Sequence, residues 1–325
     1  MVQTGQTAFE SAVLILGQRL RYALQAQPVA LQNQVNEIRL RVDRPVTLHT
    51  TATVQPLELI VRREDLDEAY RRLCDFSIYA HQEEIRQGYL TIQGGHRVGI
   101  CGTAVVQQGQ IATVRDISSL NLRIARQVRG AADELLRCIG QDWQQGLLLV
   151  GPPACGKTTL LRDLARALAT GVGGMPKKVA VIDERSELAG VSGGVPQHDL
   201  GLCADVLDHY PKGDGILHAV RALSPQVIVC DELGAQEDVV ALEQGLHAGV
   251  AVIATVHAGS IAQLLQKKQG QTLLRSGAFD TVAMLSGTAL CQVTELHKAG
   301  DLLDQIGRQP RVDCGGHIAW LHGVV

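Results

Sequence analysis

The residues best suited to chemistry form one short stretch, in which Gly151 and Gly156 enclose four residues and are followed by Lys157 and Thr158. This spacing fits the phosphate-loop pattern G-x-x-x-x-G-K-[ST] at every position. The glycines allow successive backbone N–H groups to turn towards phosphate oxygens. Lys157 is expected to reach the β- and γ-phosphates, and the Thr158 hydroxyl to ligate Mg²⁺. The predicted nucleotide cradle consists of Gly151, Pro152, Pro153, Ala154, Cys155, Gly156, Lys157, Thr158 and Thr159.

The segments on either side of this stretch are those that a phosphate loop requires. Residues 146–150 form an apolar run that predicts a buried strand, and residues 160–168 have the pattern of an amphipathic helix. The start of that helix adds a partial positive charge to the anion site. A Gly/Pro turn that carries a lysine by chance would require neither a buried strand before it nor an amphipathic helix after it. We therefore predict that the chain binds ATP, with Mg²⁺ as its metal ion.

Acidic and imidazole side chains follow three further apolar runs. The runs predict strands over 178–182, 227–230 and 250–255. If these strands are parallel, their carboxyl ends meet at one edge of the sheet, where nucleotides bind in open α/β folds. The candidate residues at these ends are Glu184, Glu187, Asp231, Glu232 and His257.

Each of these side chains has a distinct candidate role. Asp231 and Glu232 fit the Walker B pattern, in which the first carboxylate organises Mg²⁺ and the second polarises the attacking water. Glu184 and Glu187 either touch the metal or the water, or form a solvated loop pair. His257 either contacts the γ-phosphate and reports its hydrolysis, or is an ordinary hydrogen-bonded histidine.

The chain divides by pattern into two parts. Residues 141–325 alternate strands with helices, which predicts an α/β domain with a mostly parallel sheet covered on both faces. Residues 1–140 predict a smaller α+β domain for assembly or partner docking. Its predicted elements are a helix over 8–25, a hairpin over 36–50, helices over 62–74 and 78–87, and strands over 89–93, 96–106 and 111–115. The glycine-rich segment 190–215 predicts a loop.

Composition restricts the classes of partner. The 325 residues carry a net charge of -3 with a pI near 6.4, and they include only three Phe and two Trp. A nucleic-acid partner is not expected, because single-strand binding usually needs basic grooves and aromatic stacking platforms, which an acidic pI and few aromatic residues disfavour. No apolar run approaches the ~18–20 residues of a membrane span, so direct insertion is not expected. Eight cysteines without a C-x-x-C pair predict reduced thiols and a cytoplasmic location.

The order of these motifs resembles the secretion-ATPase branch of the RecA-like P-loop ATPases, and more narrowly the stage III sporulation AA family. The stretches that carry the resemblance are 37–41, 94–102, 117–126, 181–188 and 224–225. It implies an ATPase of an endospore-forming bacterium that acts in the mother cell on a channel into the forespore. It also implies a homo-oligomer, by analogy a hexamer, that a membrane protein of the channel complex holds at the membrane.

One departure from the branch bears on activity. Residues 233–236 contain no arginine, although members of the branch usually carry one just after the residue equivalent to Glu232. Candidates for a cation that acts across a subunit boundary are Arg115, Arg123, Arg185 and Arg221. Three functions therefore stay open: a mechanochemical ATPase of a secretion-like assembly, a nucleic-acid motor or loader, and a nucleotide-dependent scaffold with little turnover. Composition disfavours the second, and the absent arginine favours the third.

Overall fold

The computed structural model describes residues 7–74, 82–172, 174–234 and 236–308. The chain forms two compact units. The first consists of Met1–Gln127 and Ala189–Asp199, and the second of Val128–Leu188 and Leu200–Val325. Among the helices of the described ranges, none has both the length and the apolar character needed to cross a membrane.

The first unit is built on a six-stranded antiparallel sheet with the order β3-β2-β1-β6-β5-β4. Its strands are β1 (Glu37–Arg41), β2 (Pro45–His49), β3 (Val54–Ile60), β4 (Tyr89–Ile92), β5 (His96–Gln107) and β6 (Gln110–Arg123). Its helices are α1 (Ala8–Ala12), α2 (Gln18–Gln25), α3 (Val29–Gln32), α4 (Arg63–Leu73) and α5 (Gln82–Gln87). Buried side chains alternate along β1, β2 and β4, which gives the sheet an apolar face. Phe9, Leu20 and Leu66 from the helices belong to the same core as this face.

Both predicted hairpins of this unit are confirmed, since β1 pairs with β2 and β4 pairs with β5. The strand predicted over 111–115 is longer than expected, because β6 pairs with β5 along its length and then with β1. The single helix predicted over 8–25 is wrong. The segment divides into α1, a 3-10 turn over Val13–Ile15 and α2, because Leu16 is extended and fully buried. Of the helix predicted over 78–87, residues 78–81 lie outside the described ranges.

The second unit contains a seven-stranded sheet with the order β13-β12-β7-β11-β10-β8-β9. Its strands are β7 (Leu147–Gly151), β8 (Val179–Asp183), β9 (Ala204–Asp208), β10 (Val227–Cys230), β11 (Ala251–His257), β12 (Thr281–Leu285) and β13 (Val293–Lys298). All pairings are parallel except that of β12 with β13. Its helices are α6 (Asp133–Ile139), α7 (Lys157–Thr170), α8 (Lys212–Ala222), α9 (Gln236–His247), α10 (Ile261–Gln266), α11 (Lys268–Arg275) and α12 (Ala299–Arg308). Every residue of β7, β8, β10 and β12 is buried, as in parallel sheets that are covered on both faces.

The four strands predicted in this unit are confirmed to within two residues at each end. The loop predicted over 190–215 is wrong in its second half, which forms β9 and the first turn of α8. β9 is an edge strand in which only Leu207 is buried, so its apolar signal is weak. β12 and β13 were not predicted. The central order β7-β11-β10-β8 brings the ends of all four predicted strands side by side.

Candidate nucleotide site

The phosphate loop connects the end of β7 to the first residue of α7. Gly156 precedes the helix with a φ of 94°, and a Cβ at this position would lie 2.8 Å from the backbone nitrogen of Cys291. Both the left-handed backbone and the close approach of the Cys291 segment require glycine here. α7 runs for 14 residues without an acidic side chain in its first turn. Its N–H groups and dipole are therefore available to an anion.

Lys157 is buried within the loop that it serves, with 5% of its surface exposed. Its Nζ donates to the carbonyl oxygens of Gly151 at 2.9 Å and Pro152 at 2.7 Å. The same Nζ lies 3.0 Å from Nδ1 of His257. Because an ammonium group only donates, Nδ1 accepts this bond and a neutral imidazole carries its proton on Nε2.

The charge of Lys157 is under two opposing influences. Burial lowers the pKa of its ammonium group below the ordinary value, whereas Cys155, Asp231 and Glu232 act to raise it. The neighbouring carboxylates therefore help to keep the cation charged in a place where desolvation alone disfavours it.

Thr158 and Asp231 connect the loop to the acidic strand end. The Thr158 hydroxyl donates to Oδ2 of Asp231 at 2.8 Å across 73 residues of chain. Oδ1 of Asp231 accepts from the backbone N–H of Glu232 at 2.9 Å and from the Thr255 hydroxyl. A hydroxyl and a carboxylate held together provide the hard oxygen ligands that Mg²⁺ prefers. The donor set therefore fits a magnesium ion bound together with phosphate oxygens.

Glu232 follows Asp231 with an unusual backbone. Its φ is 44°, in the left-handed region that costs an L-residue roughly 1–2 kcal/mol. Its backbone N–H also donates to the Thr255 hydroxyl at 2.8 Å. The side chain receives a hydrogen bond from Nη1 of Arg185 at 2.9 Å, and its other oxygen lies 3.6 Å from Nε2 of His257. The candidate base thus lies between an arginine and the imidazole that contacts Lys157.

The acidic segment after β8 is fixed by one buried and one partly buried side chain. Asp183, only 2% exposed, accepts the N–H groups of Glu187 at 2.8 Å and Leu188 at 2.9 Å. Arg162 of α7 donates to the carbonyl oxygens of the same two residues at 2.6 and 2.8 Å. Burial lowers the pKa of the Arg162 guanidinium, and nearby carboxylates, first Asp183, oppose this shift. Both the backbone N–H groups and the backbone carbonyl oxygens of the turn that carries the predicted glutamates are therefore hydrogen-bonded to side chains.

The two glutamates of this segment differ in their surroundings. The Glu184 carboxylate pairs with Lys212 at the start of α8. Both Glu184 and Glu187 line a small cavity together with Asp231 and Glu232. Of the predicted residues, the structure brings Lys157, Thr158, Asp231, Glu232 and His257 into one connected group. Glu184 and Glu187 border that group.

Sequence reasoning gave no individual role to three residues that support this group, namely Arg162, Asp183 and Thr255. For Thr255 a signal was available, since alternation along β11 places residues 255 and 257 on the same face of the sheet. A polar residue two positions before His257 in an otherwise apolar strand marks a side chain that needs a buried partner. Spacing along the chain could not predict the roles of Arg162 and Asp183, because their partners are backbone groups of a turn.

The candidate arginines occupy different places. Arg185 pairs with Glu232 of its own chain, with 60% of its side chain exposed. Arg221 is exposed on the last turn of α8. Arg115 and Arg123 on β6 have side chains that are 69% and 65% exposed. Their partners within the first unit are Asp116 and Glu37 at 3.5 and 3.8 Å, distances typical of weak surface ion pairs.

Comparison with known proteins assigns the chain to a family. The family model for sporulation stage III, protein AA matches residues 7–293. The chain belongs to this family. It is 42% identical to stage III sporulation protein AA of Bacillus subtilis (strain 168) over 273 residues. These residues make up 84% of this chain and 89% of that protein. Protein SEEDLING PLASTID DEVELOPMENT 1 of Arabidopsis thaliana is 27% identical over 226 residues, which is 69% of this chain but only 30% of that protein.

Solved structures show that this chain has a known fold. The pilus retraction motor PilT with bound ADP superposes on this chain with a TM-score of 0.56 at 15% sequence identity. The superposition covers 85% of this chain and 84% of the PilT chain. The Legionella pneumophila ATPase DotB gives a TM-score of 0.52 at 16% identity, with 79% and 73% covered. At these identities the likeness establishes the fold alone. The predicted RecA-like α/β fold of the secretion ATPases is confirmed.

Proposed function

We propose that this member of the sporulation family is a Mg²⁺-dependent ATPase that drives a secretion-like channel assembly during endospore formation. The observation that carries the proposal is the 2.8 Å hydrogen bond between Thr158 and Asp231. It joins a complete phosphate loop to the acidic end of a non-adjacent strand, where both oxygens can serve one metal ion. Family membership and the secretion-ATPase fold support the biological setting.

The proposed nucleotide contacts follow from groups already in place. Backbone N–H groups at the start of α7 and the Lys157 ammonium would hold the phosphates, and Thr158 and Asp231 would hold Mg²⁺. Bound MgATP supplies the phosphoanhydride bond and a compact positive charge beside it. The protein provides a cradle in which Lys157 already contacts His257 and in which the Asp231 carboxylate favours the charged form of Lys157.

Hydrolysis needs a proton acceptor for the attacking water, and Glu232 is our candidate. Its carboxylate projects from the end of β10, directly after the Asp231 carboxylate that faces Thr158. A carboxylate in this position takes the water proton on one of its oxygens, a contribution worth about 10²–10⁴-fold in rate. His257 lies beside that carboxylate and contacts Lys157, so it is suited to relate the state of the phosphate cradle to the base.

A second function has an observation in its favour. Arg185 donates to Glu232 at 2.9 Å, and a carboxylate engaged by a guanidinium is less free to accept a proton from water. With this pair intact, the chain would bind ATP and change shape without much turnover. That describes a nucleotide-dependent scaffold, which also agrees with the absence of arginine at positions 233–236.

Phosphate release and nucleotide binding by the purified full-length chain separate these functions. We expect ATP binding and turnover that stops when EDTA removes the metal, and no turnover in Lys157→Ala. Binding without turnover in the wild type would favour the scaffold. Failure to bind ATP in the presence of Mg²⁺ would overturn both functions.

We also propose that the chain works as a homo-oligomer, by analogy a hexamer, and that a membrane protein recruits it to the cytoplasmic face of a membrane. The resemblance to secretion ATPases supports the ring. The exposed side chains of Arg115, Arg123 and Arg221 are candidates for a cation that acts on the nucleotide site of a neighbouring copy. Light scattering with and without MgATP measures the assembly. Flotation with anionic liposomes tests recruitment, because salt-sensitive binding of the protein alone would show that lipid suffices.

A further inference from the structure

We propose that Thr255 is a positioning residue for hydrolysis: its hydroxyl fixes both the Asp231 carboxylate and the backbone of Glu232. The inference deepens the proposed ATPase function and rests on it. The Thr255 hydroxyl is hydrogen-bonded to Asp231, the proposed metal ligand, and to the backbone of Glu232, the proposed base, and it acts through these two residues.

The hydroxyl of Thr255 uses both its donor and its acceptor capacity on the same neighbour. It lies on β11, between β7 and β10 in the sheet, and the residue is fully buried. Its proton goes to Oδ1 of Asp231, and its oxygen accepts the N–H of Glu232 at 2.8 Å. A hydroxyl has one proton to give, so this assignment is self-consistent.

The main chain of Thr255 adds a second attachment. Its carbonyl oxygen accepts the N–H of Leu233 at 3.0 Å. The Leu233 carbonyl oxygen in turn accepts from the side-chain amide of Gln269 at 2.6 Å. The turn after β10 is therefore fastened to β11 on both sides of Glu232.

This attachment explains how Glu232 keeps its left-handed backbone. A φ of 44° in a residue with a side chain persists only where the surroundings hold it. Without the Thr255 hydroxyl, the Glu232 N–H retains Asp231 alone as acceptor, and Asp231 loses a donor. Relaxation of the turn would move the Glu232 carboxylate away from His257, which β11 holds two residues beyond Thr255.

Paired substitutions of Thr255 in the full-length chain test the proposal. Thr255→Val keeps the branched shape and removes the hydroxyl, whereas Thr255→Ser keeps the hydroxyl and removes the methyl group. We expect Thr255→Val to lower kcat by about tenfold or more while the Kd for MgATP changes by less than about threefold. Thr255→Ser is expected to retain kcat within about threefold. Equal loss in both variants, or none in Thr255→Val, would overturn the role.

A readout that needs no turnover keeps the test separate from the ATPase proposal. Amide hydrogen exchange of the segment that contains Glu232 is expected to speed up by about tenfold in Thr255→Val but not in Thr255→Ser. Unchanged exchange in Thr255→Val would overturn the anchoring even if the wild type proved inactive. Conversely, a wild type without turnover but with this exchange pattern would refute the ATPase function alone. If Thr255→Val fails to fold, Thr255→Ala serves as the variant without a hydroxyl, with the same expected results.

Discussion

Nζ of Lys157 lies 3.0 Å from Nδ1 of His257, although 100 residues separate them in the chain. The contact exists because β11 runs beside β7, with His257 in register with Gly151 at the start of the phosphate loop. The other ring nitrogen of His257 lies 3.6 Å from Glu232. The cation that would meet the phosphates and the carboxylate that would meet the water are therefore connected through one imidazole.

Replacement of Lys157 by alanine is expected to weaken ATP binding by at least about 10- to 100-fold, because it removes a buried, charged donor to the phosphates. Equilibrium binding of a fluorescent ATP analogue measures the effect. Lys178→Ala is the matched control, since Lys178 is exposed and lies outside the cradle. Unchanged affinity in Lys157→Ala would refute the assignment of the phosphate loop.

Replacement of Glu232 by glutamine is expected to leave ATP affinity within about threefold and to reduce kcat by about 10²–10⁴-fold, since an amide cannot take a proton from water. Phosphate release under saturating ATP measures the effect. Glu243→Gln, on the exposed side of α9, is the control. If turnover persists in Glu232→Gln, Glu187, which lines the same cavity, becomes the next candidate base.

Mixtures of inactive subunits are expected to distinguish cations that act within the chain from those that act across a boundary. Arg185 contacts Glu232 of its own chain, so mixing Arg185→Ala with Lys157→Ala is expected to give no more turnover than the two variants give separately. We expect recovery when one of Arg115→Ala, Arg123→Ala or Arg221→Ala is mixed with Lys157→Ala, because the intact arginine comes from the neighbouring copy. A trans-acting cation is worth about 10³–10⁵ in rate in other families.

Dilution provides the control for subunit mixing. If a neighbour completes the site, turnover per subunit should fall as the protein is diluted a hundredfold and the ring dissociates. Constant turnover across that range would indicate a self-sufficient subunit. Recovery in the Arg185→Ala mixture would show that Arg185 also reaches across the boundary.

His96 in the first unit predicts a loss of stability in mild acid. Its Nδ1 accepts the N–H of Ala125 at 3.0 Å and its Nε2 lies 2.6 Å from the Ser11 hydroxyl, an arrangement that suits the neutral ring. Burial, with a smaller effect of Arg126, lowers the pKa of His96 to about 4. Below pH 6.5 His96 becomes protonated in the unfolded chain, whereas in the folded chain it stays neutral until about pH 4. The free energy of unfolding should therefore fall by roughly 3 kcal/mol across this interval.

Urea unfolding between pH 7.5 and pH 4 measures this dependence. His96→Gln is expected to remove that part of the pH slope, because glutamine cannot be protonated in this range. His218→Gln, which changes an exposed imidazole, should keep the wild-type slope. A slope that is unaffected in His96→Gln would show that other groups cause the acid sensitivity.

Much of the site could be predicted because its signals are local in the chain. The loop glycines, Lys157 and Thr158 stand at fixed spacings, and the acidic residues follow short apolar runs that are typical of buried strands. The rule that parallel strands present their carboxyl ends at one edge then predicts that Asp231 and His257 lie near the loop. Such reasoning needs no knowledge of which strand is next to which.

Strand order and irregular backbone were decided only by the tertiary structure. Thr255 meets Asp231, and Arg185 meets Glu232, because β10 lies between β11 and β8, an order that no periodicity specifies. The break of the first helix at Leu16 has a similar origin, since burial of that side chain in the core overrides local helical preference. Spacing along the chain determines which groups are available, whereas packing between distant segments determines which of them touch.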